Sequence, residues 1–523
     1  MRDLDRLSVP RLLDEAVCEA PDRPFVVHSG GSISYAQFNA LADAAAARWA
    51  ALGVRKGDRV AFMVGNSPEF IEAWLGLAKV GGILVALNTK WTQPEIERYL
   101  SLTQPRLALA DAAHVDVMRA ATGRTSSIDA LLTLGDGHGV TRFQDIVPLT
   151  AGIPTVDLES IDEVSFISTS GTTGRPKSVM QTHGNFVLTG EGYAGWMALR
   201  PGERLYVCLP LFHINSQAYS VMGALAARAS IVLVERFSAS RFWSDVAAYG
   251  VDVFNYIGSM LAILLKAEPS EQERAHHARL SYGGPALPGP VRDEAERRFG
   301  LTLISGIGMS ENTFGLIESI DGERRPGSLG KPRQHSDPRI VNEARVVDDD
   351  GRDVPADVAG ELIFRNPVLM KGYYRDPEQS AKTIRDGWLH TGDLVTVDRN
   401  GFFYFVDRKK DIVRVRGENV SSAEVEQVLT AQGGVLEAAV VGVPSDLGDE
   451  DLYAFVVTRP DVSVTEQALR EWCDSRLAPF KIPARIWETD SLPKTETQRV
   501  EKHRLRDRAR QLVSSDDCGG PGE

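Results

Sequence analysis

Residues 164–177 read Val164-Ser165-Phe166-Ile167-Ser168-Thr169-Ser170-Gly171-Thr172-Thr173-Gly174-Arg175-Pro176-Lys177. The first four read as a short strand. The following ten read as a loop with three Gly/Pro positions, five hydroxyls and two cations. Backbone N–H groups, hydroxyls and a lysine so arranged can wrap a polyphosphate, and phosphate loops ordinarily follow a strand. The spacing is not that of G-x-x-x-x-G-K-[ST], because Gly171 and Gly174 lie too close together and Pro176 precedes the lysine. A solvated Ser/Thr/Gly turn is the competing reading from composition. The strand in front of the loop favours the phosphate cradle.

Working outward, Gly57-Asp58-Arg59-Val60-Ala61-Phe62-Met63-Val64 reads as a turn and a buried strand. Residues 67–80 read as an amphipathic helix, with Pro68 early and Gly81-Gly82 closing it. Residues 83–87 are the next strand. The rhythm recurs near 186–234 and 237–257 and predicts an α/β fold with largely parallel sheets. After about residue 330 the pattern changes. Glu361-Leu362-Ile363-Phe364 and Phe402-Phe403-Tyr404-Phe405-Val406 read as strands, and Asp407-Arg408-Lys409-Lys410-Asp411 interrupts as a charge cluster. Beyond it, 422–430 and 465–477 read as helices and 435–443 and 452–457 as strands. That is a compact α+β unit of about a hundred residues.

The chain has 523 residues, enough for more than one domain, and a formal charge of −13. The acidic balance argues against a nucleic-acid-binding surface. It leaves room for a nucleotide, which needs only a few local cations. Cys18, Cys208, Cys473 and Cys518 form no C-x-x-C pair, which argues against a disulfide scaffold or cysteine zinc site and fits a reducing cytosol. The N-terminal residues hold no apolar signal core, and no apolar run approaches the roughly 20 residues that span a bilayer. A cytoplasmic protein without a membrane span is expected. His276-His277 lie in a polar segment, 271–279, read as a solvated helix, and no histidine metal site is expected.

Further motifs follow in order: Leu209-Pro210-Leu211-Phe212-His213-Ile214, Ser281-Tyr282-Gly283-Gly284-Pro285-Ala286, Gly306-Ile307-Gly308-Met309-Ser310-Glu311, Trp388-Leu389-His390-Thr391-Gly392-Asp393, Phe403-Tyr404-Phe405-Val406-Asp407-Arg408 and Arg414-Val415-Arg416-Gly417-Glu418-Asn419-Val420. With the loop at 168–177 they resemble the adenylate-forming superfamily of acyl-CoA synthetases, luciferases and peptide-synthetase adenylation domains. The resemblance runs from Ser34-Tyr35-Ala36 to Lys502. The 209–214 and 403–408 segments are similar to bacterial acyl-CoA ligases resembling carnitine/crotonobetaine-CoA ligase.

The resemblance implies a large N-terminal domain, 1–409, with parallel-rich sheets flanked by helices plus a β-barrel-like part. A small mobile α+β C-terminal domain, 410–513, would swing about a hinge at Lys410. A disordered tail, 514–523, would follow. The implied activity is ATP-dependent acid–CoA ligation through an acyl-adenylate, releasing pyrophosphate and then AMP. Two anions meet in the first step, so cations and N–H donors must offset their repulsion. The implied cofactors are ATP, Mg²⁺ and coenzyme A as co-substrate. Implied partners are a small carboxylic acid or other oxyacid, a carrier protein as alternative acceptor, and a second copy of the chain as a homodimer.

Residue by residue, Thr169, Ser170, Gly171, Thr172, Thr173 and Gly174 would cradle phosphate and Lys177 would meet the outer phosphates. Glu311 would hold Mg²⁺ and Ser310 would contact the α-phosphate. An ordinary surface carboxylate is the other reading of Glu311. Gly283, Gly284 and Pro285 resemble the adenine-binding segment, where glycine lets backbone approach the base. Ile307 and Gly308 would flank the same base. Asp393 and Arg408 would contact the ribose, and Gly417 would line the pantetheine channel. His213 lies at the family's gate beside the acyl pocket, with a purely structural role as the alternative. By family position 213–216, 254–258 and Gly306-Ile307 line the acid site. Asn215, Asn255 and Tyr256 would make it partly polar, favouring a small or aromatic acid over a long fatty chain.

Three positions depart from the family pattern. Near the C-terminus, Leu492-Pro493-Lys494-Thr495-Glu496-Thr497-Gln498-Arg499 carries Gln498 and Arg499 where glycine and the adenylating lysine are usual. Arginine keeps the charge but is planar, forked and bulkier; Lys494 and Lys502 flank it. Ile307 replaces an aromatic residue, and Ser178 replaces a glycine after the loop lysine, which predicts mild crowding. These departures open an alternative: a repurposed adenylating enzyme with another acceptor or acid, including nitrite activation for arylamine diazotisation. A catalytically silent nucleotide-binding protein is the third reading, and intact Lys177, Glu311, Asp393 and Arg408 argue against it.

Overall fold

The strands Arg59–Met63 and Ile83–Ala86 send alternate side chains into different cores, as a two-residue period requires. The computed structural model describes residues 3–137, 139–148, 152–170, 176–284, 286–287, 289–409, 411–415, 418–444, 450–459, 462, 464–494 and 500–517. They form two compact units, Met1–Ala344 with Phe364–His390, and Arg345–Ile363 with Thr391–Glu523.

In the first unit, one sheet runs through Gly372–Tyr373, Pro176–Thr182, Glu163–Ser170, Ile83–Ala86, Arg59–Met63, Leu107–Asp111 and Ala130–Leu134 in spatial order. Its pairings from Glu163–Ser170 outward to Ala130–Leu134 are parallel. A second sheet holds Thr302–Met309, Leu280–Gly284, Val253–Ile257, Arg204–Val207, Ser230–Leu233 and Pro24–His28, again parallel. Val60, Phe62 and Leu84 of one sheet and Leu205, Val207 and Ile231 of the other bury into a shared core. Ala61, Met63 and Val85 face away from it, under Gln93–Thr103 and Val115–Thr122. Burial on both faces explains why these strands read as continuous apolar runs. The expected α/β fold with a large N-terminal part is borne out.

The helix His183–Trp196 lies within the shared core, with ten of its residues buried. Such a helix must be apolar or internally satisfied all round. Gly190 is set by packing: a Cβ there would stand 2.6 Å from the Cβ and carbonyl of Met222. Thr182 caps its start by accepting from the Asn185 N–H.

In the second unit, Val435–Pro444 pairs antiparallel with Glu450–Thr458, which pairs parallel with Arg485–Glu488. Val440, Leu452 and Ile486 face Ser422–Thr430 and Glu466–Asp474. Val441, Tyr453 and Phe455 face Leu505 and Ala509 of Lys502–Asp517. This is the α+β unit expected from the sequence. The last helix continues to Asp517, into the 514–523 segment read as disordered, because extending a formed helix costs far less than starting one. The segment 271–279 is corrected as well. Only Glu271–Arg274 is helical, and His276 stacks on Trp243 with centroids 5.0 Å apart instead of standing in solvent.

His183, at the start of the central helix, is wholly buried and accepts a hydrogen bond at Nδ1 from the Val9 N–H, 3.2 Å away. Burial pushes its pKa down from 6.5 to about 4. The unfolded chain therefore binds the extra proton first, and stability drains as pH falls from 6.5 towards 4, at up to about 1.4 kcal/mol per pH unit. Urea melts at pH 7.5 and pH 4.5 test this. The His183→Asn variant, which keeps an acceptor for Val9, should lose less stability between the two conditions than the parent.

Candidate active site

Lys177 and Glu311 converge on the two ends of one tyrosine. Lys177 lies in Pro176–Thr182, opposite Thr169 of Glu163–Ser170 in an antiparallel hairpin. The sequence predicted a four-residue strand and a ten-residue loop. The strand instead runs on through Ser168, Thr169 and Ser170, because small and β-branched hydroxyl residues pair well across strands. Gly171, Thr172, Thr173 and Gly174 lie outside the described residues, as does the side chain of Ser170.

The Lys177 Nζ sits 4.7 Å from the centroid of the Tyr373 ring. The Tyr373 hydroxyl donates to Glu311 Oε1 at 2.8 Å. Among the described residues no carboxylate pairs directly with Lys177. Burial holds its ammonium below the usual lysine range, against the pull of Glu311 and Asp376. Burial and the Glu311 charge push the Tyr373 phenol up, so it stays a donor. One tyrosine thus holds both, the lysine over its ring and the glutamate at its hydroxyl.

The backbone beneath Glu311 is pinned. Gln181 Nε2 donates to the Ser310 carbonyl, and Asn185 Nδ2 donates to Gln181 Oε1 at 2.8 Å. The Met370 N–H donates to the Glu311 carbonyl at 2.9 Å. Ser310 and Glu311 are left half-buried at the edge of Thr302–Met309. Glu311 offers a single carboxylate, and no cluster of three His, Cys, Asp or Glu side chains suited to a metal occurs among the described residues. That donor set fits Mg²⁺, which takes one or two protein carboxylates and fills its shell with water and phosphate oxygens.

Beside this turn, Ile214 and Met309 pack against the small core that holds Tyr373. His213 is half-buried, its ring 4.5 Å from that of Phe212. It precedes a π-helical turn, Asn215–Val221. Asn255 joins Asn215 at 2.9 Å and accepts from the Tyr193 hydroxyl at 2.6 Å, while Tyr256 turns into the core. Gly283 has a packing role beyond any approach to a base: a Cβ there would collide with the Tyr256 carbonyl and ring. At Gly284 a Cβ would stand 2.7 Å from the Gly306 carbonyl. Pro285 lies outside the described residues. Ile307 and Gly308 are half-buried. The buried hydroxyl of Ser178 accepts from Tyr99 at 3.0 Å.

In the second unit, Asp393 of Trp388–Val397 faces Arg408 of Phe403–Arg408 across an antiparallel pair, with Arg408 Nε 3.1 Å from Asp393 Oδ1. Asp393 is only 1% exposed, and its N–H donates to Thr391 Oγ1 at 3.0 Å. Both aspartates of the 407–411 charge cluster are buried and partnered. Asp407 is buried and accepts from Ser421 Oγ, Ser422 Oγ and the Ala423 N–H at 2.9–3.1 Å, capping Ser422–Thr430. Asp411 takes Arg506 at 3.1 Å. Lys410, Gly417 and Arg499 lie outside the described residues. The lysines flanking Arg499 are committed elsewhere: Lys494 to Glu437 at 2.6 Å and Lys502 to Glu426 at 2.7 Å. Sequence reading missed Tyr373, Gln181 and Asn185, since a tyrosine and two amides in apolar surroundings carry no chemical signature until their partners are known.

The chain belongs to the AMP-binding enzyme family, whose model matches residues 13–374, with the AMP-binding enzyme C-terminal domain matching 424–499. The crotonobetaine/carnitine–CoA ligase of Escherichia coli O45:K1 (strain S88 / ExPEC) is 33% identical over 496 residues, covering 91% of this chain and 94% of that one. Among solved structures, the anthranilate CoA ligase AuaEII in complex with anthranoyl-AMP superposes with a TM-score of 0.89 at 25% identity, covering 98% of this chain and 99% of its own. ATP-bound MatB from Rhodopseudomonas palustris superposes at 0.87 with 28% identity, covering 96% of this chain and 99% of its own. The expected membership of the adenylate-forming superfamily is borne out, and with it the class of ATP-dependent, AMP-forming ligases.

Tyr373→Phe keeps the ring under Lys177 but removes the donor to Glu311. A hydrogen bond to a charged group is worth about 1.5–3 kcal/mol, so kcat/KM for Mg-ATP should fall about tenfold or more. Pyrophosphate release measured against ATP concentration checks this, with an unchanged melting temperature expected.

Proposed function

We propose that this ligase activates a small carboxylic acid as its adenylate and passes the acyl group to the thiol of coenzyme A. The placement of Lys177 over the ring and Glu311 at the hydroxyl of Tyr373 carries the reading, because it presents a cation and a carboxylate together to one polyphosphate. In the first step a carboxylate oxygen bonds to the α-phosphorus, the bond from that phosphorus to the bridging oxygen breaks, and pyrophosphate leaves. In the second the thiol sulfur bonds to the acyl carbon, the acyl–oxygen bond breaks, AMP leaves and the thiol proton passes to solvent.

Lys177 takes the outer phosphates and Ser310 the α-phosphate. Glu311 holds Mg²⁺, which when bound offsets phosphate charge. Asp393 and Arg408 take the ribose, His213 gates the acid, and Gly417 lines the thiol's path. Arg499 supplies the adenylating cation. The engagement of Lys494 and Lys502 by carboxylates supports that assignment. A swing about Lys410 separates the two steps. A cytoplasmic setting completes the proposal, supported by free Cys18, Cys208 and Cys473. In addition, no helix among the described residues is long and apolar enough to cross a membrane.

The test incubates the protein with Mg-ATP and a panel of acids, with and without coenzyme A. Pyrophosphate should appear with acid and ATP, and a thioester, identified by mass, only with coenzyme A. Adenylate that transfers only to a carrier protein or an amine would replace the acceptor. Arg499→Ala should depress adenylate formation by about 10²-fold or more, while Arg499→Lys preserves it. An Ala variant at the parental rate removes Arg499 from the mechanism.

A further inference from the structure

Among the described residues Arg333 is a buried cation without a counter-charge. It is 1% exposed and directly follows the strand Ser328–Pro332. Its Cζ stands 4.8 Å from the ring of Trp196, 5.3 Å from that of Tyr219 and 4.8 Å from that of Tyr282. Its Nε donates to the Leu316 carbonyl, and its Nη1 donates to the Thr313 carbonyl and the Tyr219 hydroxyl, each at 3.2 Å. Nη2 is buried with no hydrogen-bond partner among the described residues. None of these contacts is a carboxylate. A buried guanidinium held only by carbonyls and rings keeps its full charge in a medium of low dielectric, and burial pulls its pKa below the usual arginine value.

The cluster presses on the wall where the acid must lie. On the adenylation reading, the acid reaches the α-phosphate beside Ser310 and Glu311, and so rests against Gly308 and Gly306. A Cβ at Gly306 would stand 3.0 Å from Tyr282 and 3.2 Å from Arg333 Nη2. A Cβ at Gly308 would collide with the Tyr219 hydroxyl. Tyr219 cannot easily yield. Its hydroxyl donates to the Thr313 carbonyl at 2.7 Å, and its ring stacks on Tyr193, 5.5 Å between centroids. The space that an aromatic ring or alkyl chain would need behind these glycines is filled, and one charged atom of the filling points at the wall.

We propose that Arg333, Tyr219 and Tyr282 close the acid site behind Gly306 and Gly308, so that the enzyme accepts only compact oxyacids and draws them in with an uncompensated charge. The inference rests on the ligase reading, admits oxyacids besides carboxylic acids, and limits them to the size of formate, nitrite, acetate or propionate. Benzoate, anthranilate and octanoate are excluded by volume.

The experiment measures pyrophosphate release by the parent with Mg-ATP and each of these seven acids. The short acids should be turned over and the three large ones not. In Tyr219→Ala, kcat/KM for benzoate relative to acetate should rise about a hundredfold, the scale on which filled pockets discriminate. In Arg333→Met the KM for the short acid should rise about tenfold with KM for ATP unchanged, and Arg333→Lys should recover part of it. Turnover of benzoate or octanoate by the parent at or above the short-acid rate overturns the size limit and leaves the ligase reading standing. A Tyr219→Ala variant with unaltered preference overturns Tyr219 as the stop. Release of no pyrophosphate with any acid overturns the ligase reading, and the size limit falls with it.

Discussion

The helix His183–Trp196 has almost no solvent face, and the geometry of the site hangs on that constraint. It shares one core with both large sheets, so its side chains must either be apolar or find partners. Those partners are the site. Asn185 braces Gln181, which holds the Ser310 carbonyl. Two turns on, Tyr193 reaches Asn255 and stacks on Tyr219. At its end Trp196 forms one wall around Arg333. One buried helix therefore sets both the turn that carries Glu311 and the aromatic cluster behind Gly306 and Gly308.

Charge is handled in two ways. Inside a protein, opposite charges gain most from direct pairing, yet Lys177 and Glu311 each meet a different part of Tyr373, and among the described residues Arg333 has only carbonyls, a phenol and rings about it. Elsewhere the chain pairs its buried charges in the ordinary way: Arg292 meets Glu318 at 2.7 Å and Arg298 meets Glu273 at 2.5 Å. The contrast sorts the cations of the described residues into those paired with a carboxylate and those that are not. Lys494 and Lys502, paired with Glu437 and Glu426, fall in the first group.

Much of the architecture was legible because buried parallel strands leave no choice of residue. The strands around Val60 and Leu84 read as apolar runs, and Ser67 with Pro68 marks a helix start that the structure keeps at Pro68–Lys79. The α+β unit after the charge cluster was legible for the same reason. Local signals failed where a distant partner decided the outcome. Ser178 reads only as crowding until Tyr99 supplies a hydrogen bond. His276 reads as solvated until Trp243 lies flat against it. Asp407 reads only as part of a charge cluster until the start of Ser422–Thr430 claims its carboxylate.

By itself the sequence determined the class of chemistry. Lys177, Glu311, Asp393 and Arg408 are residue types that a nucleotide's phosphates and ribose require, and their order along the chain is the family's. Tertiary structure decided what that chemistry has to work with. Tyr373 holds the lysine over its ring and the glutamate at its hydroxyl, and Arg333 with Tyr219 fills the space behind two glycines. Neither was visible in the chain, because a side chain's charge and volume are written in sequence whereas the atoms that neutralise or confine it come from residues tens to hundreds of positions away.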